Sequence, residues 1–309
     1  MIRNAARNAA HASVSAALFL GSIKAWATLA TGSVAVMASL ADSALDLLAS
    51  LVTLAGVRLA AQPADEDHRF GHGKAEALAA MFQVVIITIS AIAILWRAVD
   101  RLMAGAPSSN PEYGIAVSVV AIGVTMALTR YQAWVVARTG SIAIRTDRIH
   151  YESDLMLNGA VIAALVIDNY VGLTGADAVF GVAIALWLFW GAWRASSDAL
   201  DQLMDKEWPE EKRRRFVEVA ARHPELIGLH DLRTRTSGSR DFVQFHMWMN
   251  PAMTVAEAHD VVEALESDLG AEFPGAEILI HIDPEGKVDH PNNPLVEADE
   301  VAKLRGGIA

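Results

Sequence analysis

The chain has 309 residues, 53% of them hydrophobic, with ten histidines, no cysteine and a formal net charge of −11. Its mean hydropathy of +0.30 is high for a soluble protein, and its acidity argues against nucleic acid as a partner. Without cysteine there is no disulfide framework and no thiolate chemistry, so any soft-metal site must be built from histidine and carboxylate.

Apolar character and charge are both unevenly spread. Residues 1–204 carry 15 acids against 13 Lys and Arg, a net of −2; residues 205–309 carry 21 against 12, a net of −9. The first part contains six apolar spans, roughly 11–31, 33–60, 74–102, 112–138, 150–171 and 176–198, each near the ~20 residues that a membrane helix requires. Arg3 and Arg7 precede the first span as they would in a signal peptide. The second span follows after only "TGS", however, so the two read as a helical hairpin. Arg58, Arg69 and Lys74 lie between spans 2 and 3, and Arg138, Arg145 and Arg148 between spans 4 and 5, while the 1–2 and 5–6 turns carry no Lys or Arg. The positive-inside rule then predicts that both termini are cytoplasmic. Arg97 and Arg101 at the outer end of span 3 run against that bias, and Lys24 lies near enough to the outer end of span 1 to snorkel.

From "MDKEWPEEKRRRF" onward the pattern becomes that of a soluble domain. Pro209 and two glutamates open a helix over 209–223. "LIGLHDLRTRTSG" and "RDFVQFHMWMN" alternate as strands around a hairpin turn at "SGSR". A capping box, Thr254 with Glu257, starts a helix that Gly270 is expected to end, and "AEILIHID" is a last strand. The expected fold class is an all-α, six-helix transmembrane domain over residues 1–204, followed by a small cytoplasmic α+β domain of order α-β-β-α-β over 205–289. A loose tail over 290–309 completes the chain.

Three groups of side chains stand out. Asp42 and Asp46 lie a turn apart on one face of the second span, and "HYESD" repeats that spacing with His150 and Asp154 in the fifth. Three carboxylates and an imidazole from two helices form a tetrahedral set for a divalent ion such as zinc, and acids within a membrane span mark ion pathways. The 2–3 connection, "PADEDHRFGHGKAE", places Asp65, His68 and His72 around a glycine-flanked turn, suited either to a metal or to a solvated acidic loop. In the soluble part His230, His246 and His281 fall on the three predicted strands, with Asp283 on the same face as His281 and His259 on a neighbouring helix. Such a face is a plausible cage for one or two metal ions.

Taken together, "DSALD", "DEDHRFGHGKAE", "HYESD" and the closing "HIDP" make the chain resemble the cation diffusion facilitators, in particular their bacterial ferrous-iron efflux type. The resemblance implies a non-enzymatic homodimer in the bacterial inner membrane that exports a divalent metal by alternating access. The metal would be zinc and also cadmium, with iron(II) or manganese(II) as further candidates, and it would be exchanged for protons. It implies Asp42, Asp46, His150 and Asp154 as the transport site and Asp65, His68 and His72 as a second site. His230, His246, His259, His281 and Asp283 would form a binuclear cytoplasmic site, and Lys74 with Asp205 a charge interlock. Two other classes fit parts of the chain. A membrane-bound hydrolase lacks any H-E-x-x-H or nucleophile-elbow sequence, and a metal sensor or scaffold without transport would have no use for the aspartates in its spans.

Overall fold

The computed structural model describes residues 2–31, 34–104, 112–171, 176–285 and 299–306. The chain divides into two compact units, Met1–Asp201 and Gln202–Ala309.

Unit 1 is built from six long helices: α1 Ile2–Thr31, α2 Val34–Ala60, α3 Ala75–Ala104, α4 Glu112–Thr139, α5 Ile142–Val171 and α6 Ala176–Leu203. Among the described residues, α1, α2, α3, α4 and α6 contain stretches long and apolar enough to cross a membrane. The first half of α5 is polar, carrying Arg145, Asp147, Arg148, His150, Glu152 and Asp154. That polar half also explains why α5 begins well before the span expected from residue 150: the helix continues beyond its apolar part. The same holds for α1, which starts in the polar segment ahead of residue 11.

Alanine dominates where the helices meet. Ala6, Ala9, Ala10, Ala79 and Ala143 cluster with Leu54, Val57, Val135 and Ile144, so five helices converge with small side chains between them. A second cluster joins α3 to α6 through Val84, Ile87, Ala91, Ile184, Leu188, Ala192 and Ala195. The outward faces show the opposite pattern, with Trp26, Leu29, Trp96, Met103 and Trp193 all more than 70% exposed. A soluble surface does not carry so much bare apolar area; a bilayer supplies its partner.

Unit 2 contains α7 Glu210–Ala220, β1 Gly228–Ser237, β2 Arg240–Met249, α8 Val255–Glu272, β3 Ala276–Pro284 and α9 Glu300–Leu304. The sheet order is β1-β2-β3, antiparallel between β1 and β2 and parallel between β2 and β3. Val243, Phe245 and Met247 of β2 point into a core with Phe216 of α7 and with Leu265 and Leu269 of α8. Burying each large apolar side chain here contributes roughly 1.5–3 kcal/mol. The other face of β2 and β3 carries Gln244, His246, Leu279 and His281, and Leu279 and His281 are exposed. The capping box forms as expected: Glu257 N donates to Thr254 Oγ1 at 3.3 Å, and Thr254 N donates to the Glu257 carboxylate at 2.7 Å.

Two details differ from the sequence reading. Gly270 lies inside α8, which runs on to Glu272, and the positive φ of a glycine stop falls instead on Gly275, at 88°. Within the stretch expected as a loose tail, α9 docks on unit 2. Val301 is buried in the core, and Asp299 Oδ1 accepts from both Val301 N (2.9 Å) and Leu229 N (3.1 Å).

The contact between α2 and α3 depends on Gly56. A Cβ there would fall 2.4 Å from Ala79 Cβ and 3.1 Å from the Ala75 carbonyl oxygen. Gly56→Ala is therefore expected to destabilise unit 1 by about 1–3 kcal/mol through overpacking. This is read as a lowered thermal midpoint in detergent, partly restored when Ala79→Gly is added.

Candidate metal centres

In unit 1, α2 supplies Asp46, and α5 supplies His150 and Asp154 a turn apart. One ligand atom from each lies within 4.8 Å of the other two. His150 is buried, and its Nε2 is 2.9 Å from Asp46 Oδ1. Two oxygen donors and one nitrogen converge there, a set suited to a zinc-class ion. Asp42 stands apart from this cluster. Its Oδ2 lies 3.9 Å from Arg97 Nη1 on α3.

One turn towards the N-terminus of α5 lies a group that the sequence reading passed over. Asp147 is fully buried, and its carboxylate accepts from Ser13 Oγ of α1 (2.6 Å), Gln83 Nε2 of α3 (2.8 Å) and Gln132 Nε2 of α4 (2.7 Å). Gln83 also donates to Thr53 Oγ1 and to the Ala49 carbonyl (3.3 Å), which brings in α2. Beside it, Tyr151 donates to the Ser13 carbonyl at 3.1 Å and hydrogen-bonds Ser50 at 2.8 Å. The available signal was the spacing 147, 150, 154, which puts three ionisable groups on one helical face of a membrane segment.

In the 2–3 connection, Asp65 organises its own turn. Its Oδ1 accepts from His68 N (2.6 Å) and Asp67 N (3.1 Å), and Gly71 takes a φ of 78° that suits glycine. The His68 N–H holds the Asp65 carboxyl below the usual aspartate range. His68 Nδ1 and His72 Nε2 approach Asp65 at 3.2 and 3.3 Å, so the three expected residues do come together. His72 Nδ1 is buried without a hydrogen-bond partner, leaving a donor atom that an ion or a water would satisfy.

In unit 2 the ladder aligns His230 with His246 and His246 with His281, so three imidazoles form a row across the sheet. Asp283 sits beside them: its Oδ2 is 2.9 Å from His246 Nδ1 and 3.2 Å from His230 Nε2, and its Oδ1 is 3.4 Å from His281 Nε2. The tight group is His230, His246 and Asp283, with His281 at its open edge. His259 is exposed on α8 and lies outside that group among the described residues. Asp205, expected in an interlock with Lys74, has its Oδ1 3.4 Å from Arg235 Nη1.

Residues 10–204 match the cation efflux transmembrane domain family, and residues 208–285 match the family of the cation efflux protein cytoplasmic domain. The chain therefore belongs to the cation efflux, or cation diffusion facilitator, family of membrane proteins. Among its relatives, the cation-efflux pump FieF of Cronobacter sakazakii is 42% identical over 228 residues, 74% of this chain and 76% of that protein. FieF of Serratia proteamaculans is 43% identical over the same shares. A solved structure of CzrB in its Zn form is 35% identical and covers 28% of this chain and 99% of its own, with a TM-score of 0.25.

Asp147→Leu is expected to lower the thermal midpoint of the detergent-solubilised protein sharply. It would remove the acceptor shared by three buried donors, at up to about 1–3 kcal/mol each. Asp147→Asn, which keeps one carbonyl acceptor, should retain much more of the stability.

Proposed function

We propose that the protein is a homodimeric exporter of divalent metal ions, zinc and also cadmium, in the bacterial inner membrane with both termini cytoplasmic. It exchanges metal for protons by alternating access. The observation that carries this reading is the convergence of Asp46, His150 and Asp154 from two helices of the apolar unit. Such a cluster is costly within a bilayer unless it handles ions. The relatives named cation-efflux pumps support export as the direction.

In this reading Asp46, His150 and Asp154 bind the cargo, and Asp42, a turn from Asp46, completes the shell at one stage of the cycle. Every ligand must shed its proton to coordinate, so metal and protons compete for the same atoms and one displaces the other. Facing the cytoplasm the site takes metal, and facing outward it releases metal as protons arrive. The Asp65–His68–His72 turn is a further cation site near the membrane surface. The row His230–His246–His281 with Asp283 holds regulatory metal that strengthens the dimer, His259 joining it. Two nitrogens, each within hydrogen-bond distance of the same carboxylate oxygen, fit such an ion.

Asp46→Ala should abolish zinc uptake into proteoliposomes driven by a proton gradient, with expression and dimer formation intact. Wild-type flux from that variant would overturn the transport-site assignment. His150→Asp should lower the zinc-to-manganese ratio of initial rates severalfold, because the only nitrogen donor in the set becomes a fourth carboxylate. The ratio is measured at matched free metal concentrations with Asp46→Ala as the blank, and an unaltered ratio would mean that His150 does not touch the ion.

A further inference from the structure

Arg97 is a cation where the Lys and Arg distribution of the chain calls for none, at the outer end of α3 beside the exposed Trp96. It crosses to α2, where its Nη1 lies 3.9 Å from Asp42 Oδ2. Asp42 and Asp46 share one helical face, yet only Asp46 joins His150 and Asp154. The carboxylate missing from the cluster is thus one within ion-pair reach of a guanidinium.

We propose that Arg97 is a tethered counter-cation that competes with metal for Asp42 and so sets the affinity of the membrane site. This rests on the transport-site reading above. With the guanidinium on Asp42, three ligands remain for the ion. When Asp42 joins the shell, Arg97 must let go. After release the guanidinium returns, so Asp42 is not left as an uncompensated carboxylate that draws the ion back. The pair suits an exchangeable contact, since both side chains are more than half exposed and the distance is at the limit of an ion pair. Such a pair is weak enough for a divalent ion to displace.

The test uses the full chain in detergent, with the loop and cytoplasmic centres disabled by His68→Ala, His72→Ala, His230→Ala and His246→Ala. Zinc affinity is measured at fixed pH by competition with a chromophoric chelator. Arg97→Gln is expected to tighten binding about threefold to fivefold. Arg97→Lys, which keeps the charge, should stay near the parent value. In an Asp42→Asn background Arg97→Gln should change nothing. Arg97 is two-thirds exposed, so its replacement empties no core, and matching thermal midpoints verify this. Unchanged or weaker binding by Arg97→Gln overturns the inference, as does an equal gain without Asp42. A distinct result, zinc affinity indifferent to Asp46→Ala in the same background, would remove the membrane site itself and the inference with it.

Discussion

A carboxylate with no access to water has to be met by donors, and Asp147 is met by three, each from a different helix. Through Ser13, Gln83 and Gln132 this one side chain ties α5 to α1, α3 and α4, and the bond from Gln83 to Thr53 extends the tie to α2. In an apolar bundle such a node is directional where packing is not, because small residues slide past one another at little cost while an unmatched buried donor is expensive. It also fixes the rotation of α5. With Asp147 held inward, His150 and Asp154 must follow on the same face, and Asp46 on the tied α2 is brought opposite them. The geometry of the candidate metal site is a consequence of this lock.

The soluble unit reaches the same end by other means. One face of its sheet is committed to apolar packing against α7 and α8, which leaves the opposite face available for polar chemistry. Parallel pairing of β3 with β2 puts His281 beside His246, and antiparallel pairing of β1 puts His230 on the other side. Backbone hydrogen bonding alone therefore aligns the three rings. Asp283, two residues along β3, shares their face by the pleat.

Much of this was legible in the sequence because it is periodic. The spans follow from hydropathy, the candidate pairs Asp42/Asp46 and His150/Asp154 from i, i+4 spacing, and the strands, their hairpin and the capping box from local pattern. What escaped was relational. Gln83 and Gln132 are unremarkable in their own helices and acquire meaning only when both face Asp147. The partition of Asp42 towards Arg97 depends on how α3 lies against α2. The onset of α5 precedes its apolar signal because the first half of the helix is polar, and α8 runs through Gly270 to Glu272. The docking of α9 rests on a single buried valine and a capping aspartate, too little to stand out in a polar stretch.

The ladder between β1 and β2 is interrupted between His230 and Arg233, where Asp231 takes a φ of 47°. Leu229 and Leu232 are both in the core although they are three residues apart, a spacing that an unbroken strand would send to opposite faces. The interruption thus gives β1 two independent phases, one serving His230 and the other serving the hairpin beyond. A residue inserted or lost ahead of Asp231 would exchange the core Leu229 for His230 while the hairpin stayed in place. Errors on the histidine face and errors in the hairpin are therefore separable, and the strand can be altered on one side of the kink without re-registering the other.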